Sequence, residues 1–357
     1  MIEDEFVCSE NFQANGIVEW NSPSNIALVK YWGKKENQIP QNPSISFTLS
    51  KCFTITSMDF KPKENSLNRI HFKFDGKENH EFGKKINNYF KSINKYFRFL
   101  KNHDVYINTK NNFPHSSGIA SSASSMSALA SCLVDFEIIN TNNDNNEYCT
   151  KKKSFISRLG SGSASRSIEG PVTLWGQTNH FKNSSDLFAI NISDHVNEVF
   201  NNYQNSILII DPGQKAISSS LGHKLMNSNP FSINRFEIAK NNIKRLKDVL
   251  KSGDLDEFIK ITESEALMIH SLMLSSDPYY ILMKPNTLEA IKKIIEFRIE
   301  NKIPLSFTLD AGSNVHLLYP KSENEIVKSF IKNELLKLCK SNLCIHDYLG
   351  SGSSKIR

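Results

Sequence analysis

The chain of 357 residues, 39% apolar and 22% charged, is too long for one ordinary core. It fits a folded protein of two domains or one large one, not a disordered or fibrous chain. No run of about 18 apolar residues offers a bilayer span, the acidic start Met1-Ile2-Glu3-Asp4-Glu5-Phe6 lacks an apolar signal core, the six cysteines (Cys8, Cys52, Cys132, Cys149, Cys339, Cys344) lack CxxC spacing and suit reduced thiols in a cytoplasm, and the net charge of +6, without a basic-aromatic array, points to small anions rather than nucleic acid. In chain order, residues 45–60 are dense in β-branched and aromatic side chains and read as a strand. Residues 70–74 read as another, with Asp75-Gly76 as a hairpin signal. A lysine-rich helix is expected over 82–100. Small and apolar residues from Ser121 to Phe136 read as a buried helix, and residues 140–146 as an exposed polar loop. Lys151-Lys152-Lys153 reads as a solvated surface turn. Residues 206–211 read as a buried strand, stopped by Pro212-Gly213.

The second half is richer in helix. Phe236, Ala239, Ile243, Leu246 and Leu250 share one helical face that ends at Gly253. Leu288, Ile291, Ile295 and Ile299 share another, with Asn286 or Thr287 as cap, and Ile326, Phe330, Leu335 and Leu338 mark a last helix. Strands are expected at 304–309 and 315–319, and no internal repeat is seen. The shift in composition near 195–210 is the candidate boundary, and the expected class is α+β, two domains with a cleft between them.

Three stretches call for an anionic ligand. The first runs from Ser22 to Lys35. If residues 26–32 form a strand, Lys30 and Trp32 share a face and Tyr31 takes the other. A lysine inside such an apolar run needs a carboxylate or phosphate partner. The second is the Ser/Gly loop at 111–125, which opens a helix and so presents free backbone N–H groups to a phosphate. It lacks the lysine of a Walker A loop, and His115 within it reads as a loop histidine facing water. The third is Arg158-Leu-Gly-Ser-Gly-Ser-Ala-Ser-Arg-Ser167, where hydroxyls at Ser161 and Ser163 precede the guanidinium of Arg166. Arg166 fits a carboxylate or phosphate with two hydrogen bonds; the plainer alternative is an ion pair with Glu169. Asp310, at the end of a predicted strand, either caps a turn or delivers a base across the cleft. His316 is expected on the strand that follows.

Taken in order, these residues resemble a known family. Ser24-Asn25-Ile26-Ala27 with Lys30-Tyr31-Trp32-Gly33-Lys34, then Asn111-Asn112-Phe113-Pro114-x-x-x-Gly118-x-Ala120-Ser121-Ser122-Ala123, then Gly160-Ser161-Gly162-Ser163-Ala164-x-Arg166-Ser167, then Thr308-x-Asp310-Ala311-Gly312-x-Asn314, are similar to the diphosphomevalonate decarboxylases of the GHMP kinase superfamily. The resemblance implies a two-domain GHMP-kinase-like α+β fold. Its first part, residues 1–204, would be ribosomal protein S5 domain 2-like and bind ATP; its second, residues 205–357, would be ferredoxin-like, with the active site in the cleft. It implies ATP-dependent decarboxylation of mevalonate 5-diphosphate to isopentenyl diphosphate, with ATP and Mg2+ required, a cytoplasmic homodimer, and no nucleic-acid or membrane partner.

The resemblance also assigns roles. Asp310, Lys30 and Arg166 would be catalytic, with Lys30 beside Asp310 and Arg166 on the substrate carboxylate. Asn25, Tyr31, Lys34, Ser161, Ser163 and Arg166 would bind substrate, and Pro114, Gly118, Ala120, Ser121 and Ser122 the nucleotide. No metal ligands are assigned. Leu309, Ser313 and Ser165 stand where the family commonly has phenylalanine, proline and cysteine, and Lys84 or Lys85 is the candidate for a further basic contact to the diphosphate. The rivals are a related kinase or decarboxylase of mevalonate or its monophosphate, and a catalytically silent binding protein on the same fold.

Overall fold

The computed structural model describes residues 2–63, 69–114, 119–143, 145–213 and 217–357. Two long strands found the first half. β1 (Gly16–Ala27) and β2 (Ser44–Pro62) pair antiparallel, Trp20 opposite Thr56. From Cys52 to Phe60, β2 alternates buried and half-exposed residues, the period of a sheet covered on one face. β3 (Ile70–Phe74) and β4 (Lys77–Glu78) form the expected hairpin. Asp75 and Gly76 both take positive φ, 51° and 73°, as a tight turn matched to strand twist requires. α1 (His80–Ile93) is shorter than expected, the chain continuing in 3₁₀ turns to Asn102. β5 (His103–Asn111) then pairs antiparallel with β2 and parallel with β3.

α2 (Ser121–Thr141) lies across this sheet. By length and composition it could cross a bilayer, but 72% of its apolar window is buried, which makes it a core helix. Small residues let it lie close: Ser124 Oγ sits 2.6 Å from Thr54 Oγ1, and Phe136 stacks on Phe60 at 3.9 Å. The polar connection after it spans only 142–145, because α3 (Asn146–Gly160) starts at once. α3 was not anticipated, and it corrects the reading of the lysine run. Lys152 is fully buried, its ammonium 2.7 Å from both Glu137 carboxylate oxygens on α2. Lys153 covers the Trp20 ring at 3.9 Å. Helical periodicity turns these two inward, and a buried carboxylate balances the charge. β6 (Val172–Trp175) pairs with the first part of β2, and β7 (Ala189–Asn191) with β6.

In the second half, β8 (Gln204–Leu208) is followed by α4 (Ser219–Leu225), α5 (Ser232–Ser252), α6 (Leu255–Leu274) and α7 (Pro285–Asn301). α5 ends where its periodicity stops, with Gly253 in the left-handed region at φ 81°. α6 was not anticipated. α7 starts one residue before the expected cap, with Lys284 as N-cap and Pro285 at the first helical position. Thr287 Oγ1 accepts from the Lys284 N–H at 3.1 Å and donates to Ser313 O at 2.7 Å. β9 (Ser306–Thr308) and β10 (Val315–Tyr319) precede α8 (Asn324–Phe330). The last predicted helix is thus shorter than its pattern, dissolving into a π turn and a 3₁₀ turn through Leu338. β11 (Cys344–Tyr348) completes an antiparallel sheet of order β11-β8-β10-β9.

The chain end returns to the first sheet. β12 (Ser354–Lys355) pairs with β1, giving the order β12-β1-β2-β5-β3-β4. Residues near the end of the chain therefore complete the sheet of the first half, which a division at 204/205 assigns elsewhere. One buried cluster joins the halves: Ile26, Leu28, Val29 and Phe47 of the first pack with Ile207, Ile243, Leu246 and Phe258 of the second. Shared burial of this kind holds the two halves as one body around the segment 28–33.

Candidate active site

The segment after β1 leaves the sheet at Ala27, so residues 28–33 are not strand and the expected alternation fails. Tyr31 and Trp32 both lie against one ring, that of His223 on α4, at centroid distances of 4.4 and 4.6 Å. The Gly33 N–H donates to His223 Nδ1 at 2.9 Å. Gly33 has φ 108°, and a Cβ there would stand 2.6 Å from the Phe236 ring, so only glycine serves.

This irregular backbone delivers Lys30 inward. Lys30 is 2% exposed, and its Nζ lies 3.1 Å from Asp310 Oδ1. Asp310 follows β9 in a tight turn, its carbonyl accepting from the Gly312 N–H at 2.7 Å and lying 3.1 Å from His270 Nε2. Asp310 is 25% exposed, so its carboxyl is paired with Lys30 and still reached by solvent. Burial pushes the Lys30 ammonium below the ordinary lysine range, while Asp310 holds it up.

Arg166 enters from the 3₁₀ segment Gly162–Ser167 that follows α3. It is 2% exposed, and one nitrogen, Nη2, reaches Asn25 Oδ1 at 3.5 Å. Its Nε and Nη1 are buried without a hydrogen-bond partner among the described residues, as is Tyr31 Oη. No described ion pair joins Arg166 to Glu169. Burial pushes the Arg166 guanidinium down to about 10. Buried donors with nothing to bind are rare in folded proteins and point to a ligand. Asn25 holds the segment from below, its Nδ2 donating to Ser163 O at 3.1 Å and Ser167 Oγ at 2.8 Å. Gly162 is required because Tyr31 Oη and Trp175 would each stand 2.7 Å from a Cβ.

A run of hydroxyls links this segment to the mouth of α2. Ser163 Oγ is 3.3 Å from Ser161 Oγ, which is 3.4 Å from Ser122 Oγ. Ala120, with φ 45°, is the N-cap of α2 and supplies no side-chain cap, so the first amides and the positive helix end face outward beside Ser121 and Ser122. Ser24 Oγ donates to Ile119 O and ties this loop to β1. Pro114 precedes the loop; Gly118 and His115 lie outside the described residues. Lys34 is half-buried, donates to Gln38 Oε1 at 2.8 Å, and is shifted below the ordinary lysine range by burial. Lys84 and Lys85 stand on the exposed face of α1, Lys85 paired with Glu81 at 2.7 Å.

The reading by motif missed several residues around the site. His223 carries no local signal and becomes visible only through its contacts. Glu265 and Arg235 pair across two helices, 30 residues apart. His316, on β10 as expected, is fully buried with Nδ1 3.0 Å from Asn205 Oδ1. Burial pushes it down to about 4, so it is a neutral ring beside Lys30 and Asp310. Among the described residues no group of three His, Cys, Asp or Glu could hold a metal ion. A magnesium ion fits here as one held by phosphate oxygens, with serine hydroxyls at the α2 mouth available to it, the usual arrangement for that ion.

An uncapped helix end for phosphates, a buried arginine with open donors and an acid paired to a buried lysine define an enzyme of small, multiply anionic substrates, built from both halves of an α+β fold. Family descriptions make this specific: a diphosphomevalonate decarboxylase-like N-terminal domain matches residues 22–187, and a mevalonate 5-diphosphate decarboxylase C-terminal domain matches residues 206–347. The diphosphomevalonate decarboxylase of Debaryomyces hansenii is 30% identical over 85% of this chain and 79% of its own, and that of Ganoderma lucidum 27% over 87% and 80%. The structure of mevalonate diphosphate decarboxylase from Staphylococcus aureus superposes with a TM-score of 0.82 at 26% identity, covering 96% of this chain and 99% of that one. A structure of MDDEF in complex with MVAPP, AMPPCP and magnesium superposes with a TM-score of 0.81 at 26% identity, covering 96% and 100%. The chain belongs to the diphosphomevalonate decarboxylase family.

Proposed function

We propose that this protein catalyses the ATP-dependent decarboxylation of mevalonate 5-diphosphate to isopentenyl diphosphate, carbon dioxide, ADP and phosphate. The observation that carries the reading is the buried Arg166 with open donors beside the Lys30–Asp310 pair, in a chain of this family. A tertiary hydroxyl leaves poorly as hydroxide. Asp310 orients the 3-hydroxyl and takes its proton as the oxygen attacks the γ-phosphate of ATP, releasing ADP. The C–O bond then breaks with loss of phosphate, and the electron pair of the bond to the carboxylate forms the new double bond as carbon dioxide departs. Arg166 orients that carboxylate through its open donors, and Asn25 holds Arg166. Tyr31, Lys34, Ser161 and Ser163 take the diphosphate region. Ala120, Ser121 and Ser122, with Pro114 ahead of them, form the nucleotide cradle at α2; Gly118, outside the described residues, joins them by the motif alone. Magnesium, bound to the nucleotide phosphates, supplies charge neutralisation during transfer.

The test is incubation with ATP and mevalonate 5-diphosphate. One carbon dioxide per ADP is expected. ADP without carbon dioxide would make the chain a kinase, and neither product a silent binding protein. A cytoplasmic setting is proposed on the six cysteines, all unpaired. A homodimer is proposed on the exposed Phe231, Ile233, Tyr279 and Ile281, which flank the contact of Asn229 with Ser275 and Ser276. Sedimentation at the mass of one chain would rule the dimer out.

A further inference from the structure

Glu265 stands on α6 in the second half and is fully buried. Its Oε2 accepts from the Lys30 backbone N–H at 2.8 Å and from Arg235 on α5. Its Oε1 accepts from Asn242 Nδ2 at 2.7 Å. The other side of Lys30 is held as well, Asn42 Nδ2 donating to Lys30 O at 3.1 Å. The Lys30 main chain is therefore pinned at both its N–H and its carbonyl, in a segment with no strand ladder to support it. A carboxylate without a charge partner would not be tolerated there; Arg235 makes its burial possible.

We propose that Glu265 is a positioning residue of the reaction: it fixes the Lys30 backbone and brings a second negative charge to the Lys30–Asp310 pair. The inference rests on the decarboxylase reading above. The groups that act on the Lys30 ammonium come from several elements. Asp310 comes from the turn after β9, Arg166 from the segment after α3, and Glu265 from α6. His316 on β10 is neutral, His270 on α6 contacts the Asp310 carbonyl, and Arg235 on α5 pairs with Glu265. Burial and Arg166 work against the Lys30 proton, and Asp310 and Glu265 work for it. Without Glu265, Asp310 is the carboxylate left to offset burial and Arg166, before any anionic substrate arrives. An ammonium that lost its proton would remove the positive charge 3.1 Å from the Asp310 carboxyl.

The test uses two variants that share a structural cost and remove the same negative charge by different routes. Glu265→Gln keeps an acceptor for the Lys30 N–H and removes the negative charge. Arg235→Met takes away the partner of the buried carboxylate, which then takes up a proton and loses its charge. Both lower the melting temperature, since each strips one member of a buried pair. In the pH profile of kcat/KM for mevalonate 5-diphosphate, Glu265→Gln should move the alkaline limb to lower pH by roughly one pH unit. Arg235→Met should move it the same way. Melting temperatures that fall while both alkaline limbs stay at the wild-type pH would overturn the proposal and leave Glu265 a structural residue. Should Glu265→Gln not fold, Arg235→Met decides alone: a limb at or above the wild-type position overturns the proposal. A wild-type chain that releases no carbon dioxide defeats the functional reading itself, whereas active wild type with unmoved limbs defeats only this one.

Discussion

In the proposed reaction Asp310 and Arg166 divide the chemistry between them, and their charges act on each other. Asp310→Asn keeps the shape of the turn after β9 and removes both base and charge. Turnover should fall by about a hundredfold or more, the scale of general-base catalysis, with an unchanged circular dichroism spectrum. Near-normal turnover would remove Asp310 from the mechanism. Arg166→Lys keeps the charge but loses the planar fork, in a pocket where Nε and Nη1 have no hydrogen-bond partner among the described residues. A loss of roughly ten- to a hundredfold in kcat/KM for mevalonate 5-diphosphate is expected, with little change in the ATP Michaelis constant. Glu169→Gln in the same carbon dioxide assay is the control; equal impairment of both variants would sink the carboxylate role. Asp310, Arg166 and Lys30 were visible in the sequence because each stands in a run of unusual local chemistry. Glu265 was not, because its partners are Lys30, Arg235 and Asn242, and no local pattern announces a pairing between distant segments.

Among the elements, the same division holds. α5 was legible because its apolar face repeats at helical spacing and a glycine ends it. α6, which brings Glu265 and His270 to the site, buries Glu265 and His270 on its core face and exposes Leu267 and Leu274 on the other, which blurs the one-sided signal. α3 was hidden by its lysines: Lys152 is a core residue because α2 supplies Glu137, a fact of tertiary pairing. The segment joining α3 to β6 works as a unit with the α2 mouth, since Ser122, Ser161 and Ser163 stand within hydroxyl contact. Three substitutions test that unit. Ser121→Ala or Ser122→Ala should raise the ATP Michaelis constant or lower turnover, with less effect on affinity for the diphosphate substrate; titrations in which neither variant differs from wild type would make the loop structural. Gly162→Ala places a methyl 2.7 Å from Tyr31 Oη and Trp175. Forcing it in should cost about 1–3 kcal/mol by urea unfolding. It should also weaken substrate binding, because Tyr31 must move; full stability in that variant would show that the ring yields freely.

At the scale of the whole molecule, the joint between the halves is where function and stability meet, and acid should find it. His223, from α4, reaches across to accept the Gly33 N–H, and burial, with Lys34 and Arg166 nearby, pushes its pKa down to about 3. A histidine accepting that N–H at Nδ1 must be neutral there. In the unfolded chain it regains an ordinary pKa of about 6.5. The unfolded state therefore binds the extra proton between those two values. The stability His223 contributes is fully present above pH 6.5 and is lost as pH falls towards 3, at about 1.4 kcal/mol for each pH unit inside the window. His316 acts with the same sign over a narrower window, down to about 4. His223→Asn isolates the first, because the Asn side-chain oxygen can accept the same N–H and cannot titrate. At pH 7 the variant should be less stable than wild type, having lost ring contacts with Tyr31 and Trp32. At pH 4.5 the gap should narrow by roughly 2–3 kcal/mol, since only the wild type carries the acid cost. Urea midpoints at the two pH values measure this directly. A gap that stays constant would mean that the imidazole takes up its proton alike in the folded and unfolded chain and that the Gly33 contact does not hold the halves together.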